Sequence, residues 1–383
     1  IKMLLESIKN TIQKFNIKNV LIGFSGGVDS TVLAYCLSKI ENLNVRAVYV
    51  NHGFSDNAKD WEIFCKQFCL DNNIEFHSKT VDCSNLQGDS FEAVAREKRY
   101  NVYKSLLQDN EHLCLGQHSD DQVETVLLQL FRGTGLSGLS GMPLFSKFHN
   151  GYIIRPFLDN DIMTISKSVI EEFSNKNNIE HIFDESNDSN KYRRNFLRNE
   201  IIPQIEKEFG KIDKAIMRTA SNCAEAQEYI ESKSLDIKEN KFSVEAISTL
   251  SLFEIKNSIQ KWIKNNGFQA LSSNKLKELI KFIENYKSDS DFKIDTKKYV
   301  IRHFKKSIYI LDKNKKHLDT DSIKLESNEA LIHKNNINKN FHYQNKTFSL
   351  KKYFRENNVP VWERDYFYFV VENNNILKIC NLY

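Results

Sequence analysis

Val20-Leu21-Ile22-Gly23-Phe24-Ser25-Gly26-Gly27-Val28-Asp29-Ser30 runs without a break into Thr31-Val32-Leu33-Ala34-Tyr35-Cys36-Leu37. The apolar opening reads as a buried strand, the glycines as a hinge, and the continuation as a helix. Val32, Leu33, Cys36, Leu37 and Ile40 share one face of that helix. Gly26 and Gly27 allow a sharp turn and a close approach of the backbone to a ligand. Ser25, Asp29 and Ser30 fall at the helix N-terminus, where unpaired N–H groups and the dipole favour an anion. A Walker A loop would end in Gly-Lys-Ser/Thr, and this one does not. The plainer alternative is an ordinary strand-to-helix turn capped by Ser or Asp.

Outward from that stretch, strands and helices alternate to about Asp184. Val45-Arg46-Ala47-Val48-Tyr49-Val50 reads as a second strand, Trp61 to Leu70 as a helix, and His112-Leu113-Cys114-Leu115-Gly116 as a further strand. That last strand feeds a helix whose Val123, Val126, Leu127, Leu130 and Phe131 recur at helical spacing. The alternation predicts an α/β fold with a parallel sheet and ligands at the carboxyl ends of its strands. Ser25–Ser30, Asn51-His52-Gly53 and Gln117–Asp121 all follow strands and are expected to converge on one crevice. From Asp213 to Tyr286 the pattern is mainly helical. Tyr299–Arg302 and Ser307–Leu311 read as a hairpin, Lys313 to Ser322 as a polar linker, and the remainder as a small α+β module. The expected domains are therefore 1–212, 213–318 and 319–383.

The chain has 383 residues, 40% of them hydrophobic and 27% charged, which suits a soluble multidomain protein. No apolar run approaches the roughly 18 residues that span a bilayer. Ile1 to Asn10 has no signal-peptide pattern, so a cytoplasmic, membrane-free protein is expected. Seven scattered cysteines without a Cys-x-x-Cys pair argue against a disulfide framework and a zinc ribbon. Cys65 and Cys69 are read as core. The net charge of +4 hides an asymmetry. Residues 1–190 carry 18 Lys/Arg against 25 Asp/Glu, a net of −7; the rest carry 36 against 25, a net of +11. A polyanionic partner held by the second half fits that distribution, as does a general Lys- and Asn-rich bias.

A second constellation is Gly116-Gln117-His118-Ser119-Asp120-Asp121-Gln122-Val123-Glu124-Thr125. Asp121 alone fits an N-cap, but a His, two Asp and a Glu together are not needed for folding. Carboxylates near ATP phosphates can hold Mg²⁺, or bind a cationic substrate.

Ser-Gly-Gly-Val-Asp-Ser after a strand resembles the pyrophosphate (PP) loop of adenylating ATP pyrophosphatases. The second run is similar to the His-His-x-Asp-Asp-Gln-x-Glu-Thr signature of tRNA(Ile)-lysidine synthases, with Gln117 in place of the first His. Arg132–Met142 resembles that family's glycine-rich stretch, and Ala95-Arg96-Glu97-Lys98-Arg99-Tyr100 its Ala-Arg-x-x-Arg-Tyr motif. Asp184–Asn187 with Arg194-Asn195-Phe196-Leu197-Arg198 resembles its Asp-x-Ser-Asn…Arg-Asn-x-x-Arg motif. Leu350–Glu356 with Val359–Arg364 resembles its C-terminal signature. The motifs occur in family order from residue 20 to about 365.

The resemblance implies an N-terminal PP-loop domain of adenine nucleotide α-hydrolase type, then a mainly helical domain and a small α+β domain that grip tRNA. It implies a ligase joining free L-lysine to C2 of the wobble cytidine (C34) of a tRNA(Ile) with a CAU anticodon. ATP is the co-substrate, the intermediate is an adenylated cytidine, and AMP and pyrophosphate are released. On this reading Ser25, Gly26, Gly27, Val28, Asp29 and Ser30 hold ATP. Asp29, His118, Asp120, Asp121, Arg194 and Arg198 are catalytic candidates, with Asp29 and Asp121 as Mg²⁺ ligands. Arg96, Arg99, Glu124, Asn195, Lys351, Lys352, Arg355 and Arg364 are candidates for contacts to lysine or tRNA. Which group is the general base stays open, as does a homodimer.

Residues 293–317 carry nine Lys/Arg against two Asp, interleaved with aromatics, a pattern suited to RNA backbone contacts. Leu350, Phe354 and Val361 are expected in the core of the last module. The competing enzyme is a PP-loop tRNA thiolation enzyme making 2-thiocytidine or 2-thiouridine, which depends on cysteines. A tRNA-binding module with a dead ATP site is the non-enzyme alternative, disfavoured by the intact loop.

Overall fold

The computed structural model describes residues 2–53, 57–83, 91–183, 193–288, 290–314, 320, 323–326, 328–337, 340–343, 346–372 and 375–383. The Asp184–Asn187 stretch and most of the expected linker lie outside them. The chain divides into two units, Ile1–Glu228 and Tyr229–Tyr383.

In the first unit α1 (Lys2–Lys14) precedes β1 (Asn19–Gly23) and α2 (Val28–Ser38). The alternation continues through β2 (Asn44–Asn51), α3 (Ala58–Asp71), β3 (Glu75–Thr80), α4 (Phe91–Leu106), β4 (His112–Cys114) and α5 (Ser119–Phe131). A short α6 (Leu136–Leu139), a hairpin of β5 (Phe145–Phe148) and β6 (Gly151–Ile154), and α7 (Lys167–Lys176) follow. Then α8 (Arg193–Phe196) passes through a π turn (Leu197–Ile201) into α9 (Ile202–Phe209), and α10 (Asp213–Lys233) leads onward. The six strands form one sheet in the order β3-β2-β1-β4-β6-β5. All neighbours are parallel except β5, which runs antiparallel to β6 at the edge. The sequence reading of a parallel sheet therefore holds for five strands and not for the sixth.

Strand β1 shows why this sequence makes this sheet. Val20 and Ile22 pack into one apolar cluster with α1, α2 and α3, while Leu21 points to the other face beside Tyr103 and Leu113. A strand covered on both faces must be apolar throughout, and each such side chain contributes about 1.5–3 kcal/mol. Helix α2 is likewise buried nearly all round, at Thr31, Val32, Leu33, Ala34, Cys36 and Leu37, rather than along a single face. The strand order reverses between β1 and β4, and the crevice at such a reversal is where α/β sheets bind ligands.

The second unit continues with β7 (Lys241–Ser243), α11 (Val244–Ser248), α12 (Leu252–Asn265), α13 (Ser273–Glu284), β8 (Lys293–Asp295), β9 (Tyr299–Phe304) and β10 (Ser307–Asp312). Its antiparallel sheet, β7-β10-β9-β8, shares an apolar core with these helices, centred on fully buried Trp262. The Trp262 indole N–H donates to the Glu239 carbonyl at 2.8 Å. Then come β11 (Ala330–His333), β12 (Asn340–Tyr343), β13 (Lys346–Ser349), α14 (Leu350–Glu356), β14 (Phe367–Glu372) and β15 (Asn375–Asn381). Phe354, Phe367 and Phe369 form the core of this last part. Val361 is 59% exposed, against the expectation that it is core: it opens a 3₁₀ turn just after Pro360 and faces solvent. Among the described residues no helix is long and apolar enough to cross a membrane.

Candidate active site

The loop after β1 is wired before any ligand arrives. Ser30 Oγ donates to the Gly27 carbonyl at 3.0 Å and accepts from the Ser25 backbone N–H at 3.3 Å. The Thr31 hydroxyl reaches the Gly26 and Gly27 carbonyls, both at 2.9 Å. Gly26 has φ +82°, and a Cβ there would lie 2.4 Å from the Ile182 side chain and 2.9 Å from Cys65 Sγ. Both conformation and space therefore demand glycine. The Ile182 N–H donates to the Gly26 carbonyl at 2.8 Å and clasps the loop from outside. No side chain caps the first turn of α2, which leaves its N–H groups to an anion.

At the end of β4 the chain passes so close to α2 that a Cβ on Gly116 would lie 3.0 Å from the Asp29 carbonyl oxygen. This contact brings the second constellation against the first. His118, 2% exposed, stands among carboxylates. Its Nδ1 is 3.2 Å from Asp120 Oδ2, and its Nε2 is 3.6 Å from Asp29 Oδ1 and 3.5 Å from Asp121 Oδ2. The His118 backbone N–H donates to Asp121 Oδ2 at 3.2 Å. Burial works against the imidazolium, but Asp121, the Asp120 hydrogen bond and Asp29 outweigh it and push the pKa up to about 9. Asp120 is held well below the usual carboxylate range despite its burial, by His118 and by the Lys167 backbone N–H at 2.9 Å. Asp29 moves the other way: burial raises its pKa, with the His118 charge opposing. Asp29 Oδ1 is buried without a hydrogen-bond partner among the described residues.

Glu124, one turn further along α5, is 0% exposed. Arg198 Nε donates to its Oε1 at 2.6 Å, and Arg194 Nε lies 2.8 Å from its Oε2. Arg198 also reaches Asp121 Oδ1 at 3.6 Å, and Arg194 donates to Thr125 Oγ1 at 2.7 Å. An apolar seam of Val123, Leu127 and Leu197 zips α5 to the π turn beside these pairs, so hydrophobic packing sets where the guanidiniums fall. Burial raises the Glu124 pKa, with Arg198 opposing. Asn195 is half-buried on α8.

A cavity of about 820 Å³ opens over the loop, lined by Ser25, Gly27, Val28, Asp29 and Ser30. The PP-loop domain family matches residues 2–205. A tRNA(Ile)-lysidine synthase of Francisella tularensis subsp. novicida is 33% identical, the alignment covering 97% of this chain and 96% of that one. Synthases of the same name from Legionella pneumophila and Histophilus somni are 33% and 31% identical, covering 91% and 94% of this chain and 87% and 94% of theirs. The chain belongs to the tRNA(Ile)-lysidine synthase family.

Like its family, the chain is an enzyme of PP-loop ATP pyrophosphatase type. In this lysidine synthase family member the crevice expected from the sequence gathers Asn51, His52, Gln117 and Asp121 on the same cavity as the loop, while Gly53 is not on its wall. Arg96 and Arg99 line it too, with Tyr100 accepting from Arg96 at 3.2 Å. Sequence reading passed over Lys167 and Glu171 of α7 and the His181–Phe183 segment, which also line it. Only the backbone bond from Lys167 to Asp120 and the clasp of Ile182 on Gly26 bring these residues in, and neither leaves a periodic signal.

The candidates in the second unit are of mixed kind. Lys351, Lys352 and Arg355 are exposed on α14. Arg364 instead donates to the Val359 carbonyl at 3.1 Å and lies over the Phe354 ring, a packing arrangement. On β8 Lys293 pairs with Asp295 at 3.0 Å, and on the β9–β10 hairpin Lys306 pairs with Glu245 at 2.8 Å while Arg302 stacks on Trp362.

Proposed function

We propose that this enzyme joins L-lysine to C2 of the wobble cytidine (C34) of a tRNA(Ile) with a CAU anticodon, consuming ATP and releasing AMP and pyrophosphate. The observation that carries the reading is the meeting of the nucleotide loop with an acidic cluster through Asp29 and His118. The first supports adenylation, and the second suits a cationic amine acceptor. The cytidine C2 oxygen attacks the α-phosphorus, the bond to pyrophosphate breaks, and an adenylated base results. The lysine Nε then attacks C2, the C2–O bond breaks, and AMP leaves.

The ammonium must lose its proton first, at a cost of about 4–5 kcal/mol at pH 7. His118 holds its own proton up to about 9, so near neutrality it acts as a fixed cation and proton donor. Asp29 keeps a buried oxygen without a hydrogen-bond partner among the described residues, which suits a ligand to a cation. Glu124 positions Arg194 and Arg198 rather than meeting substrate. Lys167, Arg96 and Arg99 supply charge for phosphate oxygens.

Among the described residues no group of three or more His, Cys, Asp or Glu forms a metal cage. A pair of carboxylates nevertheless fits Mg²⁺, which keeps waters and phosphate oxygens as ligands. Asp29 and Asp121 would hold it, and the bound ion would neutralise charge on the departing pyrophosphate. The segments 213–318 and 319–383 are assigned to holding tRNA, with Lys351, Lys352 and Arg355 as backbone contacts.

Thiolation is disfavoured because among the described residues no cysteine lines the cavity. Cys36 and Cys69 are buried with thiols pushed up to about 12, and such thiols are inert. Pyrophosphate exchange that depends on tRNA(Ile) CAU, together with entry of labelled lysine into that tRNA, tests the proposal. Entry of sulfur without lysine would overturn it.

A further inference from the structure

Arg155 follows β6 and is 5% exposed. Its Nη1 donates to the Pro143 carbonyl at 2.8 Å and its Nε donates to Gln117 Oε1, while the Tyr100 hydroxyl lies near enough to act on its charge. None of these partners carries a negative charge. The half-buried Arg46, by contrast, is paired with Glu111 at 2.9 Å. A guanidinium only donates, so the Gln117 oxygen must face Arg155 and the amide NH₂ must turn away from it. Gln117 lines the cavity, and its Nε2 has no partner among the described residues. Gly116, pressed against the backbone of Asp29 and Ser30, places Gln117 beside the first turn of α2. Contacts thus run from Asp29 through Gly116, Gln117 and Arg155 to Tyr100 and Arg96. Gln117 stands where the loop meets the basic wall.

We propose that Gln117 donates a hydrogen bond from Nε2 to a non-bridging oxygen of the α-phosphoryl group of bound ATP, with Arg155 as the positioning residue that orients its amide. The inference rests on the adenylation reading above. The α-phosphoryl is the one that stays when pyrophosphate leaves, so it must sit beyond the helix N-terminus, toward the acceptor. A donor fixed there by a buried cation needs no reorganisation as charge develops on that oxygen.

The test uses the full chain, tRNA(Ile) CAU and the two diastereomers of adenosine 5′-O-(1-thiotriphosphate), each replacing one non-bridging α-oxygen by sulfur, a weak acceptor. The wild-type chain is expected to discriminate between them by about tenfold in kcat/KM for pyrophosphate exchange. Gln117→Leu is expected to lower kcat/KM with ordinary ATP by about ten- to hundredfold and to abolish the discrimination. Arg155→Met is expected to do the same, with the double variant no worse than Gln117→Leu alone. If Arg155→Met does not fold, Gln117→Leu carries the test by itself. A Gln117→Leu enzyme that keeps the wild-type discrimination overturns the inference, whatever its overall rate. A wild-type chain that exchanges no pyrophosphate overturns the adenylation reading instead, and the inference with it.

Discussion

Asp29 Oδ1 lies 3.6 Å from His118 Nε2, too far for a hydrogen bond and near enough for their charges to act on each other. The loop after β1 and the cap of α5 are thereby held as one electrostatic unit. Replacing Asp29 by Asn keeps the shape and removes the charge. Pyrophosphate exchange is expected to fall at least a hundredfold, while the melting temperature stays within a few degrees of wild type. Lysine incorporation that survives Asp29→Ala would sink the assignment.

The His118 imidazolium gives a pH dependence of defined sign. Its folded pKa, about 9, lies above the unfolded value of about 6.5. The associated stability is therefore fully present below about pH 6.5 and lost as pH rises through about 9. The shift corresponds to on the order of 3 kcal/mol. Thermal unfolding followed from pH 6 to 10 should show a downward slope in the wild type that is absent from His118→Gln.

Glu124 neutralises two guanidiniums at once. Glu124→Leu should destabilise the first unit by about 3–5 kcal/mol, because Arg194 and Arg198 lose a buried partner. Urea denaturation checks this. A double change to Glu124→Leu with Arg198→Leu should recover part of the loss, which separates charge burial from simple packing.

Lys167 lines the cavity and acts on the Asp29 charge. Lys167→Met is expected to raise the KM for ATP and the inhibition constant of pyrophosphate by about tenfold each, with little effect on the KM for lysine. Steady-state kinetics with each substrate varied in turn would reveal the opposite pattern, in which case the lysine site is the one disturbed.

Much of the first unit was legible because its chemistry is local. The β1–loop–α2 stretch announces itself through an apolar strand, two glycines and a helix with Ser25, Asp29 and Ser30 at its start, all within eighteen residues of sequence. The Asp120–Glu124 cluster is legible for the same reason. Lys167 and Arg155 were not, since each reaches the site only through long-range contacts, to Asp120 and to Gln117. The β5–β6 hairpin was missed because its four-residue strands are too short for alternation to register. Val361 was misread because an apolar residue after a proline in a 3₁₀ turn carries no period to say which way it faces.

Gly26 is hemmed in by Cys65 from α3 and by Ile182 from the segment after α7, with no room for another methyl group. Three residues far apart in the chain therefore share one fixed volume. In descendants of this sequence, position 65 and position 182 should change size only in opposite directions, while position 26 stays without a side chain. A larger residue at either flank would first be felt as a displaced nucleotide loop, so the fate of the ATP site is inherited partly through residues outside the loop itself.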